Sequence, residues 1–193
     1  MYNYISGKIA EATPSYVVID NNGIGYLLEI SLNTYTQIKD LTEVKLLVHY
    51  VVREDAHLLY GFFDEQERSL FRNLINVNGV GVSTARVMLS TLNTQELTNA
   101  IVSENVKMVQ SIKGIGPKTA QRIVLELHDK LTIDEQLQIN TVVQSNKNTE
   151  EALSALVMLG FVKGQASKVL DKIAADNPTM TVEDLIKQAL KVL

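Results

Sequence analysis

The sequence predicts a multidomain α+β protein: a five-stranded β-barrel, then an all-α domain made of a duplicated unit, then a polar linker and a three-helix tail. Three observations lead there. The first 64 residues hold five short runs rich in β-branched and aromatic residues. The next stretch repeats itself at a spacing of 35 residues, glycine on glycine and apolar on apolar. The apolar period then lapses near Thr132 and returns at Thr149.

The strands are "YISGKIA", "SYVVID", "GYLLEI", "VKLLVHYVV" and "HLLYGF", with "NNGIG" (Asn21 to Gly25) as a hairpin signal between the second and third. Five short strands suit a small closed or partly closed barrel, for which the OB-fold is the natural candidate. The last two are joined by "REDA", Arg53 to Ala56, so Glu54 and Asp55 stand side by side at a hairpin tip.

The duplicated unit reads "VNGVGVSTARVML" (Val77 to Leu89) and "KGIGPKTAQRI" (Lys113 to Ile123). A 35-residue shift puts Gly79 on Gly114, Gly81 on Gly116, Ala85 on Ala120, and Val77, Met88, Leu89 and Leu92 on Ile112, Ile123, Val124 and Leu127. Apolar residues at i, i+3, i+4 and i+7 follow each turn, and Phe71 and Leu74 match Val106 and Val109 before it, so each unit is helix, Gly-x-Gly turn, helix. Neither familiar nucleotide loop fits. Pro117 stands where a Walker A loop needs glycine, and Thr119 where a dinucleotide fingerprint needs its third. A helix opening from a glycine turn presents free N–H groups with the helix dipole behind them, which receives an anion. Pro117 suits the first helical position, and Lys118 adds a point charge. One such turn reads as a plain helix connection; two in register favour a phosphate receptor that reads no base.

From Thr132 to Asn148 the chain is polar and aperiodic, a flexible linker. Thr149 then reads as an N-cap for "EEALSALVMLGF", ended by Gly160; a second helix follows near Gln165 to Ala175, and Thr181 with Asp184 makes a capping box for the last. The domains are thus 1–64, 65–131, the linker 132–148, and 149–193.

The chain has no cysteine, which excludes disulfides, thiolate metal sites and a cysteine nucleophile. It shows neither a signal peptide nor an apolar run long enough to span a bilayer, and reads as a cytoplasmic protein with no membrane partner. The net charge of −4 argues against nucleic acid as a whole-chain statement. By segment it does not: residues 1–64 carry 4 basic and 8 acidic side chains, 65–130 carry 8 and 6, and 131–193 carry 6 and 8. The segment with the twin turns is the net-positive one, weakly, so backbone amides must supply much of the attraction. His49, His57 and His128 show no metal-ligand spacing and read as structural or surface residues, and no cofactor is implied.

A five-stranded barrel with the acidic "VVREDAHLLYGF" hairpin, the twin turns "NGVGVSTA" and "KGIGPKTAQRI", a loose linker and a tail with "EALSALVMLGF" together resemble the RuvA family of bacterial Holliday-junction-binding proteins, over the whole chain and in order. The resemblance implies a homotetramer, alone or as an octameric pair, that holds four-way junction DNA open and flat for recombination and repair. It implies tandem helix-hairpin-helix motifs, a UBA-like tail that recruits the hexameric motor ATPase RuvB, and a RuvC resolvase as a further partner. Carried over by position, the phosphate-binding residues are Gly79, Val80, Gly81, Gly114, Ile115, Gly116 and Lys118, with Arg122 nearby, and Glu54 and Asp55 form an acidic pin at the junction centre. The first turn departs from the pattern, with Val82-Ser83 where the second has Pro117-Lys118.

Four-fold symmetry would ring one axis with these carboxylates. A carboxylate 4 Å from a phosphate is repelled by about 1 kcal/mol in water and about 4 at an effective dielectric near 20, whereas hydrogen bonds to charged groups contribute roughly 1.5 to 3 kcal/mol each. Amide sites on the arms can therefore outweigh repulsion at the crossing. The rival class is a helix-hairpin-helix repair enzyme, a glycosylase or nuclease, for which Asp129 is the nearest catalytic candidate.

Overall fold

The computed structural model describes the backbone of residues 2–139, 144–176 and 180–193, and the side chains of these stretches except at 133–139, 144–147, 175 and 176. The chain forms two units, residues 1–132 and 133–193.

In the first unit β1 (Tyr4–Ala12), β2 (Tyr16–Asn21), β3 (Ile24–Ile30), β4 (Glu43–Val52) and β5 (His57–Phe62) close into a barrel in the order β1-β2-β3-β5-β4. The closure is complete, as β1 pairs with β4 from Tyr4 opposite Leu47 to Lys8 opposite Glu43. Neighbours are antiparallel except β3 and β5, which run parallel where Glu29 and Ile30 face Tyr60 and Gly61. Alternation fills the interior with Val17, Ile19, Leu28, Ile30, Val44, Leu46 and Val48, all buried. Asn22 and Gly23 both have positive φ, 52° and 87°, the pair of conformations a tight hairpin turn needs, and Asp20 Oδ1 accepts from the Gly23 amide at 2.8 Å.

A helix the strand pattern did not announce, α1 (Leu32–Ile38), lies between β3 and β4. Four of its seven residues, Thr34, Tyr35, Thr36 and Ile38, are β-branched or aromatic and read locally as strand. Its start is fixed by the Ser31 hydroxyl, which accepts from the Thr34 amide at 3.0 Å, and its end by Ile38, fully buried in the barrel core.

The duplicated domain is α2 (Glu65–Ile75), α3 (Val82–Thr91), α4 (Thr94–Val102), α5 (Val106–Gln110) and α6 (Pro117–Ile139). The matched positions are its core: Val77 with Ile112, Ala85 with Ala120, Met88 with Ile123, Leu89 with Val124 are all buried in one cluster. A capping box of Asn93 and Glu96 starts α4. This cluster extends into the barrel wall through Tyr60 and Phe62 of β5. Phe71 of α2 is the seat: its ring centre lies 4.9 Å from Phe62, 5.3 Å from Tyr60 and 5.4 Å from His49.

Two buried polar residues pin α2 beside that seat. Arg68 donates to the Asn3 carbonyl at 2.9 Å and to Asn3 Oδ1 at 2.8 Å, and pairs with Glu65. Glu67 accepts from the hydroxyls of Ser31 and Thr34, the latter at 2.6 Å, tying α2 to α1.

In the second unit α7 (Gln144–Met158), α8 (Lys163–Asp176) and α9 (Val182–Ala189) pack around Ala152, Leu156, Ala166, Leu170, Leu185 and Ala189. Gly160 closes α7 with φ 100°, the Phe161 amide donating to Leu156 at 3.1 Å and the Gly160 amide to Val157 at 3.0 Å, a Schellman end. Two expectations change. Thr149 is no N-cap, because helical backbone already begins at Gln144; and α6 runs on through Ile139, so helix occupies both ends of the segment read as linker. Residues 140–143 between them lie outside the described residues. At Thr181 the cap forms, accepting from the Asp184 amide at 3.3 Å, but the Asp184 carboxylate takes the Thr181 hydroxyl rather than its amide.

Burial raises the Glu67 pKa above its ordinary 4.5 against the pull of the two hydroxyls. A carboxyl whose folded pKa is raised binds its proton more readily when folded, so its contribution to stability grows as pH falls through the folded pKa and is complete below 4.5. Glu67→Gln, uncharged throughout, is expected to remove that gain: in urea unfolding, wild type should improve relative to the variant as pH drops from neutral towards 4.5. A pH-independent difference would show that Glu67 does not take up a proton in this window.

Candidate nucleic-acid interface

The two turns are the same object built twice. In the first, the amides of Val77, Val80 and Ala85 donate to Leu74, Val77 and Gly81 at 3.0, 3.0 and 2.9 Å; in the second, Ile112, Ile115 and Ala120 donate to Val109, Ile112 and Gly116 at 3.3, 3.1 and 2.9 Å. Each bond of one is the other moved by 35 residues.

The four glycines divide by physical reason. Gly79 and Gly114 have φ of 95° and 91°, where a side chain is strained. Gly81 is extended, with φ −85° and ψ 167°, and Gly116 has no positive φ. A Cβ built on either meets nothing within 4 Å. Neither conformation nor packing inside the chain demands glycine at these two positions; the open space in front of them is what a side chain would fill.

Behind that space lie the free donors. The amides of Gly81, Val82, Ser83 and Thr84, and those of Gly116, Lys118 and Thr119, have no acceptor among the described residues. No side chain caps α3 and no acid stands in the first turn of α3 or α6, so both dipole ends are uncompensated. The amides of Val80 and Ile115 close the turns, and each residue is 6% exposed.

The turns lie side by side. An added Gly79 Cβ would stand 3.7 Å from Thr119 Oγ1 of α6, and Arg122 Nη1 donates to the Asn78 carbonyl at 3.1 Å. Lys113 and Lys118 are exposed on the second turn. Arg86 of α3 is turned away from the first: it pairs with Glu29 of β3 at 3.0 Å and donates to the Ser15 carbonyl at 3.0 Å, fixing α3 to the barrel. Sequence spacing gives no sign of either arginine's partner, since both contacts span dozens of residues.

Glu54 and Asp55 occupy the β4–β5 tip, closed by the Arg53 amide on the Ala56 carbonyl at 2.8 Å. Both are exposed. The strands below are anchored on both faces, Val48 inside the barrel and Tyr60 and Phe62 in the helical core, so the tip stands on a braced hairpin.

The histidines serve local structure. His49 packs on Phe71, and its pKa is lowered by burial and then by Arg72 and Arg68. His57 Nδ1 meets the Tyr50 hydroxyl at 2.7 Å, and His128 Nδ1 lies 3.0 Å from Asp129, whose hydrogen bond raises the His128 pKa. Asp129 itself is 91% exposed.

Paired turns with open glycines and free amides define a tandem helix-hairpin-helix protein. Residues 71–129 match the SAM-like helix-hairpin-helix tandem family, 1–61 the RuvA N-terminal domain and 147–193 the RuvA C-terminal domain. The chain is 50% identical to a protein of Christiangramia forsetii and 48% identical to ones of Flavobacterium psychrophilum and Cytophaga hutchinsonii, each over the full length of both chains. All three are named Holliday junction branch migration complex subunit RuvA. The chain belongs to the RuvA family.

The division among glycines is testable on stability alone. Gly79→Ala and Gly114→Ala force a side chain into left-handed backbone and are expected to cost about 1 to 2 kcal/mol each. Gly81→Ala and Gly116→Ala change only a helix-capping preference and should cost less, at most about 1 kcal/mol. Chemical denaturation of the four variants checks the order; equal losses at all four would mean that the second glycines are structural too.

Proposed function

We propose that this chain is the non-catalytic, junction-binding subunit of a branch-migration complex, which recognises four-way DNA by structure and not by sequence. The observation that supports it above others is the pair of open glycine turns with unbonded amides, in a chain that also presents two carboxylates on a braced hairpin tip. Gly79 and Gly114 shape the turns, Gly81 and Gly116 leave room for phosphate, and Lys118 and Arg122 add charge. Phosphate contacts fix position and carry no base information directly. Glu54 and Asp55 repel the strands where they cross.

The assembly is a homotetramer, with an octamer formed from two, acting in the cytoplasm with RuvB and the RuvC resolvase. Among the described residues no helix is long and apolar enough to cross a membrane. Exposed apolar side chains on the barrel, Ile24 at 58% and Leu27 at 55%, suit contact between copies.

The tail docks the motor through an apolar end. Asn148 Nδ2 donates to the Met180 carbonyl at 3.0 Å, which brings the early part of α7 to the start of α9. In this tail Met158 is 89% exposed, Val162 66% and Val192 69%. Unpaired apolar surface of this kind marks a recognition site.

Competition between a four-way junction and linear duplex of the same composition tests the central reading. The intact protein should prefer the junction, with affinity falling steeply as salt rises. Glu54→Gln with Asp55→Asn should hold or raise duplex affinity and narrow the preference; loss of junction binding by a folded double variant would mean the tip attracts DNA.

For the tail, Met158→Ser with Val162→Ser changes only exposed positions. Junction binding is expected to stay at the wild-type level while ATP-driven migration with RuvB falls at least about tenfold, the size of about 1.4 kcal/mol of lost docking energy. Undiminished migration at subsaturating protein would place the docking surface elsewhere.

A further inference from the structure

We infer that Arg122 supplies the first turn with the cation that turn's own sequence lacks, so that the two turns share their charge across the hairpin pair. This rests on the reading of the turns as DNA contacts and adds to it which residue serves which turn.

The 35-residue shift pairs Lys113 with Asn78, Lys118 with Ser83, and Arg122 with Val87. At these three positions the second unit holds three cations and the first none. The nearest arginine on α3, Arg86, is held by Glu29 and the Ser15 carbonyl. Taken alone, the first turn has amides and a dipole but no side-chain charge.

The fold makes up the difference. Thr119 of α6 faces Gly79, and Arg122, one helical turn further on, reaches the first turn with Nη1 3.1 Å from the Asn78 carbonyl. A guanidinium has five N–H donors. One is used on Asn78; the other four have no hydrogen-bond acceptor among the described residues, Glu126 lying 3.9 Å from Nε as an ion pair only. The side chain is 48% exposed, so those donors are open to an incoming anion. The contact with Asn78 also covers a carbonyl oxygen whose negative end would otherwise point towards phosphate. Arginine suits this double task because its fork holds two acceptors at fixed angles, which a lysine ammonium does not.

The test is a rescue. Arg122→Gln removes the charge and the reach to the Asn78 carbonyl; it should weaken junction binding about tenfold or more and lower the salt slope by about one per chain. Ser83→Lys puts a lysine at the first-turn position that matches Lys118. Added to Arg122→Gln it should restore affinity to within about threefold of wild type, 1.4 kcal/mol being tenfold, and added to Lys118→Ala it should restore little. Wild-type binding by Arg122→Gln overturns the inference, as does equal rescue of both variants, which would make the effect one of net charge. Thermal unfolding of each variant establishes that it is folded. A Gly81→Ala, Gly116→Ala double variant separates the levels: if it binds junctions like wild type, the turns are not the DNA contacts at all; if it loses binding while Arg122→Gln does not, only the assignment of Arg122 fails.

Discussion

The placement of α2 and the first glycine turn against the barrel depends on one packing interaction, the seating of Phe71 in the barrel wall. Its ring touches Phe62 and Tyr60 of β5 and His49 of β4, the same two strands that carry the acidic tip. Because protein interiors are close-packed, such a seat has one arrangement and little give. The helix it fixes, α2, ends at the first turn, and its start is held by buried Glu67 and Arg68. The acidic hairpin and the first glycine turn are thus referred to a common frame, with the Arg86–Glu29 pair as a second strut.

On the proposed reading, that frame lets a weakly basic domain face DNA, with attraction drawn from donors aimed in advance and not from a dense field of lysines. Free amides at the starts of α3 and α6 need no reorganisation to meet an anion, and no acid in their first turns opposes one. The two tip carboxylates stand exposed on the β4–β5 hairpin, on elements separate from the helices that carry those amides.

Much of this was legible in the sequence, for identifiable reasons. The strands are rich in β-branched and aromatic residues, the Asn22-Gly23 turn announces itself, and the duplication exposes the turns because glycines and core positions recur together at 35 residues. What escaped was either locally ambiguous or non-local. The α1 residues favour strand in isolation and become helical because Ser31 caps them and Ile38 finds the barrel core. Thr149 looks like a cap by type but lies inside α7. The contacts of Arg86 with Glu29, and of Arg122 with Asn78, have no periodic signature, so only the folded chain brings them together. The turns were found as pairs of equivalent glycines, yet φ separates Gly79 and Gly114 from Gly81 and Gly116.

That separation matters for how loss of function would arise in this chain. Most damaging substitutions act by lowering the folded fraction, and cellular quality control removes them. Gly81 and Gly116 face empty space on an ordinary backbone, so a small side chain there is expected to leave a protein that folds and persists. Surveys that rank variants by abundance or melting temperature would score these two positions as tolerant, and the injury would surface only where DNA is present.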